Sequence, residues 1–172
     1  ALIGYLGTSQ QIFAELYQQG PLFALWFALF ASAIAIAMIL NGRFVIKIGM
    51  RRITKFAIRL SLATSILMLG VVYFTNGLPP LAWLGLYCFV IFFCNGLMFG
   101  NYNALALEPM GHIAGMASSV SGFLYSLMSF AGGSLIGQAF DGTVTPLVMG
   151  FGGFGCLALL STEWAEARRS RV

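Results

Sequence analysis

Residues 41–59, NGRFVIKIGMRRITKFAIR, hold six of the nine Lys and Arg residues of this 172-residue chain. The stretch that follows them, residues 60–107, contains no Asp, Glu, Lys, Arg or His. A soluble domain needs solvated loops at shorter intervals, whereas a bilayer accommodates long charge-free stretches. Residues 41–59 therefore predict a basic connection between apolar helices that cross a membrane.

The composition also indicates a membrane protein. Hydrophobic residues make up 59% of the chain and charged residues 8%, whereas about a quarter of the residues in soluble domains are charged. The formal net charge of +4 does not indicate a nucleic-acid partner, because the basic residues adjoin apolar stretches rather than a polar domain. The expected partner is a lipid bilayer, whose anionic headgroups supply the counter-charge.

The cysteines give no sign of a metal site or a disulfide framework. Cys88, Cys94 and Cys156 all lie inside apolar stretches, without the spacing of metal ligands. Neither a phosphate-binding loop nor a nucleotide-binding motif is visible in the sequence. We therefore expect no metal and no cofactor.

Six apolar segments predict an all-α polytopic membrane protein. The segments cover residues 1–16, 22–40, 60–74, 81–106, 114–140 and 146–164. The first is shorter than the roughly 20 residues that a span needs, so we expect the chain to be a fragment cut near the start of a transmembrane helix. The predicted organisation is a six-span bundle at residues 1–164, with a cytoplasmic loop at 43–59 and a cytoplasmic basic tail at 165–172.

The span count also predicts the sidedness of the loops. Four apolar segments separate the two basic clusters, an even number, so both clusters lie on one side of the membrane. Short cytoplasmic loops carry the excess of Lys and Arg, which makes this side the cytoplasm. The loops at residues 17–21, 76–80 and 141–145 contain no Lys or Arg and are predicted to lie on the opposite side.

Two passages of the sequence resemble known transporters. Residues 42–52 resemble the loop motif of the major facilitator superfamily, G-x-x-x-D-R-x-G-R-R, with Ile46 in place of the Asp, Lys47 in place of the first Arg and Met50 in place of a later Arg. Residues 103–119 and 137–146 resemble the drug:proton antiporters, in particular the bicyclomycin/chloramphenicol-resistance-like group. Gln10-Gln11-Ile-Phe in the first span is similar to the same group.

This resemblance covers nearly the whole chain and implies both fold and function. It implies spans seven to twelve of a twelve-span protein, that is, one half of a major facilitator fold built from an inverted 3+3 repeat. The implied activity is proton-driven efflux of small amphipathic molecules or drugs by alternating access in the bacterial inner membrane. The implied partners are the missing N-terminal six-span half and a small-molecule substrate, with a proton gradient in place of a cofactor.

The fifth span carries a stripe of small residues on one helical face. Two interpretations are open and compatible. The stripe permits close helix packing, or it lines a central cavity and lets one bundle rock against the other. In the second interpretation Ser126 and Ser129 contact substrate. The stripe consists of Gly115, Ser119, Gly122, Ser126, Ser129, Gly133 and Gly137.

Polar residues in two other spans are further cavity candidates. Gln10 and Gln11 belong to a polar face of the first span, and Asn95 is the deepest strongly polar residue of the fourth. A polar stripe in lipid is costly unless it faces protein or water. These side chains therefore either hydrogen-bond between helices or line a cavity that receives polar substrate groups.

Glu108 and His112 lie where the fourth span is predicted to leave the membrane. Pro109 disfavours a helix at Glu108 and marks the break. Either both side chains are solvated near the interface, or Glu108 pairs with Arg43 or Arg52 in an inner gate. His112 is a further candidate for this gate.

No Asp or Glu lies at mid-depth of a complete predicted span. A proton-coupled carrier needs a protonatable group that becomes accessible from either side, so we expect this group in the missing half. An intramembrane serine protease is rejected, because Ser121-Gly122 lacks the Gly two positions before the Ser and the only histidine lies at a span end; we predict no enzyme. A complete six-span channel or a non-transporting scaffold remains the alternative.

Overall fold

The computed structural model describes residues 2–169, and all of their regular elements are helices. This confirms the all-α class. The bounds are α1 (Leu2–Gln10) with a π-helical continuation (Gln11–Leu16), a 3₁₀ turn (Gly20–Leu22), α2 (Phe23–Ile48), α3 (Met50–Phe74), α4 (Leu81–Leu107), a 3₁₀ segment (Glu108–Ile113), α5 (Ala114–Gln138) and α6 (Thr145–Arg169).

Four helical segments are long and apolar enough to cross a membrane. One of them is 58 residues long and consists of α4 and α5, joined through the 3₁₀ segment at Pro109. The helix formed by α1 and its π-helical continuation is shorter than the other segments. These segments are Gly20–Ile48, Met50–Phe74, Leu81–Gln138 and Thr145–Arg168.

The predicted loop at residues 43–59 is wrong as a description of secondary structure. Helix α2 continues to Ile48 and α3 starts at Met50, so that only Gly49, at φ 89°, separates them. Lys and Arg are good helix formers, and their long side chains can reach the headgroup region from a helix that stays regular. The 26 residues of α2 span about 39 Å, longer than the hydrocarbon core.

The loops without Lys or Arg meet at one end of the bundle. The Val144 amide donates to the Gly77 carbonyl at 3.1 Å, and the Tyr17 hydroxyl donates to the Pro79 carbonyl at 2.5 Å. Ion pairs between basic and acidic side chains join the helices at the other end. The three predicted loops therefore lie together at the end opposite the ion pairs.

The helices pack in a definite set of pairs. Helix α2 packs on α4, α5 packs on α1, and α3 packs on both α4 and α6. Gly96 permits the α2–α4 contact, because a Cβ at this position would lie 2.8 Å from the Ala37 Cβ. An aromatic cluster joins α1, α2 and α4 in the core, and consists of Tyr5, Phe13, Trp26, Phe30 and Phe92.

Candidate functional site

The stripe of small residues on α5 is divided into an open part and a packed part. Gly115, Ser119, Gly122 and Ser126 are exposed, Ser129 and Gly137 are half-buried, and Gly133 is buried. A Cβ added at Gly115, Gly122 or Gly137 would meet no atom outside its own helix within 4 Å. The serine hydroxyls of the open part bond to their own helix, from Ser119 to the Gly115 carbonyl and from Ser126 to the Gly122 carbonyl.

Gly133 marks the close crossing of α5 and α1. A Cβ at this position would lie 2.6 Å from the Ile3 Cγ2 and 3.0 Å from the Gly4 amide nitrogen. Gly4 is equally restricted, because its Cβ would lie 2.8 Å from the Ile136 side chain. Packing therefore accounts for Gly133, whereas a Cβ at Gly115 or Gly122 in the open part would contact no other helix within 4 Å.

Gln10 and Gln11 lie at the junction where α1 becomes π-helical. Both side chains are exposed, while the next two residues, Ile12 and Phe13, are fully buried. Within the described part of the chain neither Gln side chain forms a hydrogen bond. This π-helical segment ends the first helix, and at its start it presents two exposed amides.

Asn95 is half-buried, and its amide donates to the Ile91 carbonyl of its own helix at 2.9 Å. An interhelical amide hydrogen bond is formed in this helix by Asn101 rather than by Asn95. Asn101 and Asn41 exchange two amide hydrogen bonds, at 2.8 and 3.1 Å, between α4 and α2. Asn101 is 2% exposed, so this pair is a buried structural contact between α4 and α2.

Glu108 contacts the basic cluster, but its partner is neither Arg43 nor Arg52. Its carboxylate lies 3.6 Å from the Arg51 guanidinium, and among residues 2–169 neither Arg43 nor Arg52 forms an ion pair. Arg52 is one residue further along α3 and therefore points about 100° away around the helix. His112 is exposed on the 3₁₀ segment.

Arg51 belongs to a row of three cations on one face of α3. Lys55 contacts Glu166, and Arg59 contacts Glu163 at 2.9 Å. The cations are spaced by four residues and the two α6 acids by three, so each set shares a helical face. This spacing is readable in the sequence and groups Arg51 with Lys55 and Arg59 on one helical face. Which helices that face meets is decided only by the tertiary structure.

Tyr5 is the buried polar residue that sequence analysis missed. Its side chain is fully buried, and its hydroxyl is the one buried side-chain polar atom without a hydrogen-bond partner in the part of the chain that the structure describes. The Phe92 ring stands edge-on to the Tyr5 ring, with 4.8 Å between centroids. Residue type alone gives no signal of this, since most buried tyrosines have a partner.

No family model matches the chain, no curated protein matches it, and no solved structure matches it.

Proposed function

We propose that this chain is the C-terminal six-span half of a major facilitator transporter. The whole transporter exports small amphipathic molecules across the bacterial inner membrane in exchange for protons, with the basic end of this half in the cytoplasm. The proposal combines the resemblance of residues 42–52 and 103–146 with the helix packing and the surface of α5.

The helix pairing is the observation that carries the proposal. We match α1, α2 and α3 with α4, α5 and α6, in that order. The α2–α4 contact then corresponds to the α5–α1 contact, and the α3–α6 contact corresponds to itself. The α3–α4 pair has only a slight counterpart between α6 and α1, so the correspondence is partial. Two three-helix repeats nested in one half are the expected architecture of this superfamily.

The uncovered part of α5 supports a partner domain. Phe123 is 67% exposed and Met128 73% exposed, while Gly115, Ser119 and Gly122 are exposed beside them. The large apolar side chains of Phe123 and Met128 are suited to contact with lipid. A second six-span half, placed on the small residues, would leave room for the two halves to rock.

The polar candidates fit a cavity wall better than a lipid contact. Gln10 and Gln11 present free amides, and Ser126 and Ser129 lie on the small-residue face of α5. A polar group in hydrocarbon is costly, so this face is expected to meet water, substrate or protein. The five acids of the chain are at helix ends or close to them, and we place the proton-carrying group in the other half.

Efflux of a fluorescent amphipathic cation from bacterial cells tests the function. The chain is expressed together with the upstream six-span half, and the dye content of the cells is followed before and after a protonophore is added. We expect the dye to be expelled only while the proton gradient exists. The matched variant is Gly122→Leu, which places bulk on the open face, where the structure predicts little effect on folding.

Three outcomes would contradict the proposal. Dye export that continues after the gradient has been collapsed would exclude proton coupling. Passive flux through proteoliposomes that contain this chain alone would favour the complete six-span channel, and membrane insertion without flux in any combination would favour the scaffold.

A further inference from the structure

We propose that a cavity at the basic end of the bundle binds one anionic phospholipid, with its phosphate on Arg51 and an acyl chain between α4 and α6. This assignment goes beyond the proposed function and does not depend on it. The cavity has a volume of about 540 Å³, within the range of ligand-binding pockets.

The cavity exists because α5 diverges from its neighbours. Helix α5 packs mainly on α1 through Gly133 and contacts α4 and α6 only slightly. The first turns of α5 therefore lie apart from α4 and α6, and this separation leaves a wedge-shaped cavity, called the wedge below. Its apolar walls include Leu105 and Ala106 of α4 and Ala158 of α6, which suits a hydrocarbon chain.

Arg51 supplies a partly exposed cationic group at the mouth of this wedge, where it forms an ion pair with Glu108. Its side chain is 41% exposed, and its guanidinium lies 3.6 Å from the Glu108 carboxylate, beyond hydrogen-bond distance. In the described part of the chain the guanidinium donates no hydrogen bond. An Arg fork binds phosphate oxygens through two parallel N–H donors.

The excess of cations at this end of the bundle favours an anion, while the two charged residues that line the cavity, Arg51 and Glu166, balance each other. Glu166 also lines the cavity, but Lys55 contacts it. The described side chains at this end include seven cations and three acids, and all three acids are paired with cations. Four cations lack an acidic partner: Arg43, Lys47, Arg52 and Arg168.

The depth of the cavity matches that of lipid headgroups. Trp164 lies within three residues of Ser161, which lines the cavity, and its ring is 60% exposed. The Arg168 guanidinium lies 4.2 Å from the centroid of the same ring. Exposed Trp and Arg at a helix end are typical of the membrane–water interface.

Native mass spectrometry of the purified protein tests the proposal. The protein is equilibrated with phosphatidylglycerol and phosphatidylcholine that carry identical acyl chains. We expect one phosphatidylglycerol to be retained in preference to phosphatidylcholine. Arg51→Gln should lower this retention about fivefold, whereas Arg52→Gln, with the same loss of charge outside the cavity, should change it less than twofold. Ala158→Phe should abolish retention by filling the wedge.

The outcomes are distinguishable from one another and from failure of the transport proposal, because no transport is measured. Equal effects of Arg51→Gln and Arg52→Gln would show diffuse surface attraction and overturn the site. Equal retention of both lipids would do the same. If Ala158→Phe does not fold, as judged by size-exclusion chromatography, Ala106→Leu at the exposed rim replaces it. Loss of the lipid when the upstream half is present would assign the cavity to the contact between halves.

Discussion

Two tyrosines of the core differ in one hydrogen bond. Tyr87 is 4% exposed, and its hydroxyl lies 3.1 Å from the Ser65 hydroxyl of α3. Tyr5 is fully buried among aromatic rings, and its hydroxyl has no partner within residues 2–169. A buried polar group without a partner lowers stability, whereas a paired one is close to neutral or favourable.

Removing each hydroxyl should therefore have opposite effects. Tyr5→Phe should raise the free energy of unfolding by about 1 kcal/mol, while Tyr87→Phe should lower it by about 0.6 kcal/mol, the average for a hydrogen bond between membrane helices. Both changes keep the ring and its packing. Reversible unfolding in mixed micelles measures the difference, and a larger loss of stability for Tyr5→Phe would contradict the assignment.

At the scale of helices, the crossing of α1 and α5 limits side-chain size at specific glycines. Gly133→Ala would push a methyl group toward the Ile3 side chain and the Gly4 backbone. Overpacking of this kind costs about 1–3 kcal/mol. Gly122→Ala is the matched control, because a Cβ there meets nothing outside its own helix.

We expect unfolding experiments to separate these two alanine variants clearly, with Gly122→Ala close to the parent protein. Bulk on the open part of the stripe should instead affect transport. Gly122→Leu should preserve expression and stop efflux, whereas Gly133→Leu should already impair folding. Full efflux by a well-expressed Gly122→Leu protein would show that rocking does not need the small face.

The second element-scale prediction concerns the row of ion pairs between α3 and α6. The Lys55 and Glu166 side chains are 26% and 30% exposed, so their attraction is only partly screened. A double-mutant cycle with Lys55→Met and Glu166→Gln should give a coupling of about 0.5 kcal/mol, weaker in 1 M salt. Arg52→Gln should show no coupling to Glu166→Gln, and equal coupling would contradict the pairing.

For the whole molecule, the contact between Glu108 and Arg51 joins the end of α4 to the start of α3. If this contact belongs to an inner gate, Glu108→Gln should change the rate of efflux or the stability, and leave the set of exported compounds the same. Glu163→Gln, which removes another acid of the same end, is the control. Efflux measured for a panel of amphipathic dyes checks this, and a change in dye preference alone would contradict the gate.

The sequence by itself determined the features that depend on composition and periodicity. Long charge-free stretches require an apolar solvent, so residues 60–107 predicted membrane helices, and the structure contains helices there that are long and apolar enough to cross a membrane. The spacing of the basic clusters placed three loops at one end, and the Gly77–Val144 contact agrees with this. The seven-residue stripe on α5 was likewise readable, because residues three or four apart share a helical face.

Only the tertiary structure decided which face meets which helix. Periodicity could not divide the α5 stripe into a part packed at Gly133 and an open part at Gly122, because that depends on where the distant helix α1 crosses it. Nor could it select Arg51 over Arg52 for Glu108 without the position of α4 against α3. Helix formation is a local property of the chain, whereas the choice of partners depends on crossings between residues far apart in sequence.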